Sequence, residues 1–191
     1  MANKQASFQR SAAAQELAES FLSDQLGRFA GADDPRNVVL DFLDREMARK
    51  EERSRVAGFP IDPEAAARIR RGLLQTVRQY MSVVIKVTGR ACDLARTEFP
   101  EHELRVIQVR TEFDFQNWLV KALFVIDAEP EKAPQFRRVL NGIEYNALTG
   151  ERFVVELDYL NRRTDSADME YAEHRYPFVE RFRTRFTNPT E

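Results

Sequence analysis

Apolar residues recur at helical spacing through the first half of the chain and at alternate positions in the middle of it. From Ala6 to Phe29, Leu17, Phe21, Leu22, Leu26 and Phe29 fall on one face of a first helix, which stops at "GADDPRN". Asp33 or Asp34 can cap a second helix with Pro35 in its first turn, and Val38, Val39, Phe42, Leu43 and Met47 mark its buried side. The segment "ARKEERSR" then continues as a solvated helix until "GFPIDP" ends it. A third, long helix is capped by Asp62 and begun by Pro63. Ile69, Leu73, Val77, Met81, Val84 or Ile85, Thr88, Cys92, Ala95 and Phe99 recur along it, and Gly89 is a place for a kink.

After "FPEHE" the period falls to two. Ile107, Val109, Phe113 and Phe115 alternate with Gln108, Arg110, Glu112 and Asp114, as in a strand buried on one face. Gln116 and Asn117 form the tip of a hairpin, and "WLVKALFVID" is apolar on both faces, as a central strand would be. Phe136, Val139, Leu140, Ile143 and Ala147 restore helical spacing up to Gly150, and "RFVVELDYL" alternates as a third strand. A crossover through that helix would set the third strand parallel to the second; half of another hairpin is the alternative. "RRTDSADMEYAEH" reads as loop, followed by a short C-terminal helix carrying Tyr176, Phe178, Val179, Phe182 and Phe186. The expected fold class is therefore α+β: three N-terminal helices, a small sheet of hairpin, helix and strand, and a short closing helix. Residues 1–58 form a helical region packing on or extending an α+β domain of residues 59–191. The first strand is a candidate for an open sheet edge.

Composition narrows the function more than it defines it. The 191 residues carry 31 acidic and 29 basic side chains, a net charge of -2, so nothing attracts nucleic acid or an anionic membrane globally. No segment approaches a membrane span, and the first residues lack the apolar run of a signal peptide. A single cysteine, Cys92, lies on the apolar stripe of the third helix and asks for no oxidising compartment. These features, with an arginine-rich composition, fit a bacterial cytoplasmic protein.

Candidate chemistry is sparse. Glu112, Asp114, Asp127, Glu129, Glu156 and Asp158 are the carboxylates of the predicted sheet, and hard divalent cations need two or three such oxygens converging on one point. The order of helix, strands, helix and strand with acids resembles restriction-endonuclease-like nucleases, and Asp114, Asp127 and Glu156 are the set that such a metal-dependent nuclease or phosphodiesterase would use. Those nucleases place an acid two residues before a catalytic lysine, whereas Leu119 precedes Lys121 here. Acids alternating with apolar residues are otherwise the wet face of a strand. His102 and His174 stand in no ligand motif, glycine-rich phosphate loops and a G-x-S-x-G elbow are absent, and no cofactor is expected. Arg68, Arg70, Arg71 and Arg78 cluster on the third helix and Arg175, Arg181, Arg183 and Arg185 near the end, giving nucleic-acid binding as a further alternative. The leading expectation is a non-enzymatic protein-interaction or oligomerisation domain, with a protein partner or a second copy meeting Phe21, Leu22, Phe182 and Phe186.

Overall fold

The computed structural model describes residue 16, residues 21–150 and residues 152–181. Helix α1 (Phe21–Leu26) leads into the two-residue strand β1 (Phe29–Ala30). Helix α2 (Pro35–Val56) starts where the Asp34 carboxylate accepts the Arg36 N–H. Helix α3 (Pro63–Glu98) starts where Asp62 accepts the Ala65 N–H at 2.7 Å. Each cap satisfies an amide that the helix leaves without a partner, and a proline at the start needs none. The α3 helix runs unbroken through Gly89.

Strands β2 (Leu104–Asp114) and β3 (Leu119–Ala128) form the expected antiparallel hairpin. Its turn spans four residues rather than two: Asp114 accepts the Asn117 N–H and side-chain amide, and Trp118 takes a positive φ of 53°. Helix α4 (Ala133–Gly150) carries the chain over to β4 (Val154–Asn161), which pairs parallel with β3. The crossover, not the second hairpin, is therefore the connection. A 3-10 turn (Ser166–Asp168), helix α5 (Met169–Arg175) and strand β5 (Phe178–Glu180) end the described chain.

The sheet order is β1-β5-β2-β3-β4. The strand read as the first in the sequence, β2, lies inside the sheet, with β3 along one side and β5 pairing on the other at Arg110 and Thr111. The closing helix also lies earlier than expected. "DSADMEYAEH" is mostly helical because Met169, Ala172 and Tyr176 reach one apolar patch at helical spacing, while Phe178 pairs with Thr111 as a strand residue. Ile107 departs from its expected face because a bulge between Val106 and Gln108 shifts the strand phase, leaving it 39% exposed.

Helices α1 to α4 cover one sheet face with a continuous core that runs from Leu22 and Phe42 to Tyr80, Phe124 and Phe136. Residues on both sides of position 58 share it, so the N-terminal helices belong to the same core as the sheet. Tyr80 links the layers: its buried hydroxyl donates to the Leu119 carbonyl at 2.9 Å and accepts the Asp114 N–H at 3.2 Å. A smaller cluster of Leu123, Leu160, Ala172 and Tyr176 lies under α5 on the other face. Gly31 follows β1 where a Cβ would come within 2.7 Å of the Pro177 carbonyl oxygen, so glycine lets the first strand approach the last.

Candidate functional site

The face of the sheet opposite the helices carries Glu112, Asp114, Asp127, Glu156 and Asp158, and four of them, all but Glu156, pair with a nearby basic group. Strand alternation places Glu112 and Asp114 of β2 beside Lys121 of β3, whose ammonium lies 3.0 and 3.2 Å from them. Burial raises the affinity of Asp114 for a proton, but the two Asn117 donors and Lys121 outweigh it and hold the carboxyl below the usual range. Glu156 sits across from Lys121 in the parallel register, and Asp158 approaches Arg137 at 3.5 Å. Asp127 lies six residues further along β3, about 20 Å away at strand rise. There the Arg163 guanidinium holds its carboxyl below the usual range, with Arg105 also bonded to it. Asp127 thus stays apart from Asp114 and Glu156, which both lie beside Lys121, and among the described residues no group of three or more acids, histidines or cysteines could hold a metal ion.

The remaining sequence candidates scatter. His102 and His174 are exposed, in the turn before β2 and in α5. Cys92 is buried, and burial together with Glu180 pushes its thiol up to about 12, which removes the thiolate a nucleophile needs near neutrality. Arg68 and Arg71 are exposed on α3, whereas Arg70 lies 3.7 Å from Asp44 and Arg175 covers the Tyr176 ring. Glu129 follows β3 in the connection to α4. Leu22 is fully buried in the core, where α1 packs on α3, so it is not on the surface a partner would meet. Phe182, Phe186, Arg183 and Arg185 lie outside the described residues, and of Phe21 only the backbone is described.

A different surface stands out. Buried positions of α2 end at Met47 and those of α3 begin at Leu74, so the distal half of one helix and the first turns of the other form an arm beyond the core. Val56 and Phe59 at its tip are each 78% exposed. The tip is tightly bonded all the same. Gly58 adopts a positive φ of 78°, the Gly58 N–H donates to Arg55 and the Phe59 N–H to Ser54, and the Ser54 hydroxyl donates to the Phe59 carbonyl. Pro60 and Pro63 stiffen the return to α3. The signal in the sequence was a phenylalanine between Gly58 and Pro60, after a helix segment so charged that no core could lie beside it.

Concavities lie elsewhere. A groove of about 560 Å³ runs between α3 and α4, with Leu94, Val139 and Ile143 along its floor and Arg90, Glu98 and Arg138 on its rims. A smaller cavity of about 170 Å³ lies between α3 and the end of β5. Among the described residues no helix is long and apolar enough to cross a membrane. Comparison with family models, with curated proteins and with solved structures finds no match to this chain.

Proposed function

We propose that this chain is a protein-interaction domain, not an enzyme, and that it self-associates through the tip of the α2–α3 arm. The observation that carries the reading is Phe59: a large apolar side chain, 78% exposed, on a turn whose backbone is fixed by hydrogen bonds to the last turn of α2. An aromatic on a backbone that is already fixed loses little main-chain freedom on binding, which suits an interface anchor. Val56 extends the same apolar tip. A stable interface buries about 1,600 Å² in total, more than two such side chains supply, so the flanks of the arm must contribute. Two ion pairs within the helix, Arg49 with Glu46 and Arg55 with Glu52, offset part of the positive charge that a second copy would meet there.

Sedimentation velocity over a concentration series tests this. The wild-type chain is expected to shift from monomer to dimer, and Val56→Ser with Phe59→Ser to remain monomeric. Both side chains lie outside the core, so the melting temperature of the double variant should stay within about 2 °C of wild type. A wild-type chain that remains monomeric at about 200 µM, well above micromolar affinity, would refute self-association.

A further inference from the structure

Glu180 places a carboxyl group in the packing between β5 and α3. It is the last residue of β5, its side chain faces α3, and it is only 8% exposed. Its Oε2 atom is buried and has no hydrogen-bond partner. Burying a polar group without a partner is unfavourable by several kcal/mol in order of magnitude, and an apolar residue would serve the packing better. Burial raises the affinity of this carboxyl for a proton, against the Thr88 hydroxyl and the charge of Arg28.

The side chain lines the cavity of about 170 Å³. Ile85, Gly89 and Cys92 of α3 form its wall, and the β1–β5 edge forms the opposite side, closed by the Arg181 N–H donating to the Arg28 carbonyl. Arg28, Arg96 and Arg181, all exposed, stand at its mouth, with Asp93 3.4 Å from Arg96. An apolar cavity of about 150 Å³ takes benzene, so this one, at about 170 Å³, has room for roughly six or seven non-hydrogen atoms. The charge is layered: one acceptor at the floor, guanidinium groups at the mouth.

We propose that this cavity binds a small zwitterion of the amino-acid type, its ammonium group on Glu180 at the floor and its carboxylate on the arginines of the mouth. An ammonium group supplies the donors that Oε2 lacks, and a planar carboxylate suits the fork of a guanidinium. Neither a simple anion nor a simple amine satisfies both ends. The site is separate from the arm tip and does not depend on the self-association reading.

Calorimetric titration with L-alanine, L-serine and γ-aminobutyrate, against acetate and ethylammonium, tests the assignment. At least one zwitterion is expected to bind at least tenfold more tightly than either singly charged probe. Glu180→Gln should weaken it at least tenfold, and Arg28→Gln with Arg181→Gln should remove its advantage over ethylammonium. A Cβ at Gly89 meets no atom within 4 Å, so Gly89→Leu should fold and fill the cavity, abolishing binding while the melting temperature is kept. The proposal is overturned if no zwitterion exceeds the singly charged probes, or if Gly89→Leu, folded by its melting curve, binds as well as wild type.

Discussion

Glu180 also leaves a mark on stability that needs no ligand to be seen. Burial raises its proton affinity in the folded chain, while the unfolded chain restores the ordinary value near 4.5. The folded state therefore holds a proton that the unfolded state releases in the same range. Its contribution to stability is complete below the unfolded value and is lost as pH rises through the folded one. Cys92, beside it and pushed up to about 12, stays uncharged across that range and does not confuse the reading. Glu180→Gln removes the titration, so the difference in melting temperature, variant minus wild type, should increase over the interval of rising pH above the unfolded value. A difference that is flat or falls over that interval, measured by circular dichroism, would mean that the carboxyl is solvated. Nothing in the sequence marks Glu180 as special; "FVERF" reads as apolar with surface charge, and only the third dimension turns that acid inward against α3.

At the scale of elements, the fate of β4 shows how an edge strand is kept from pairing. Four of its main-chain groups are met by side chains. The Leu157 N–H donates to Glu144 at 2.6 Å, Arg137 donates to the Leu157 carbonyl, and Asp158 and Asp165 accept the Tyr159 and Asn161 N–H groups. Two of these side chains come from α4, the crossover helix itself, so the same segment that makes β4 parallel also shields its edge. Glu144→Ala with Arg137→Ala should lower stability by about 1–3 kcal/mol in urea unfolding, and should produce concentration-dependent aggregation that the wild type lacks. Unchanged solubility and stability would show that water replaces the two side chains. The long elements were legible from the sequence because α3, β2 and β3 repeat their apolar pattern over many residues. Strands β1 and β5 were not, since two or three residues carry no period, and their place depends on pairing between distant segments, Phe29 with Glu180 and Thr111 with Phe178. Helix α5 did leave a signal in the spacing of Met169, Ala172 and Tyr176, hidden by the polar residues between them.

The whole molecule is shaped by one length. The 36 residues of α3 make a helix of about 54 Å, whereas a compact chain of this size has a radius of gyration of only about 16 Å, or roughly 42 Å across. Part of the helix must therefore project, and the burial pattern says which part: the end before Leu74, paired with α2 beyond Met47. The sequence carried this in the sparse apolar residues between Pro63 and Arg71, although the charged segment before Gly58 read only as surface and not as half of an arm. Helical hydrogen bonds in that arm are supported by its own two helices, while those from Val77 to Ala95 lie against the sheet and the core. Local opening needs less free energy where few apolar contacts must break. Amide hydrogen exchange should accordingly divide α3, with residues 63–73 exchanging through local opening at a free energy several kcal/mol below that of residues 77–95, which should approach global unfolding. If two copies meet at the arm, raising the protein concentration should slow exchange at residues 56–63 selectively and leave the core end unchanged. Uniform protection along α3 at every concentration would mean that the arm is part of the cooperative core, and the division of the helix into two stability zones would be wrong.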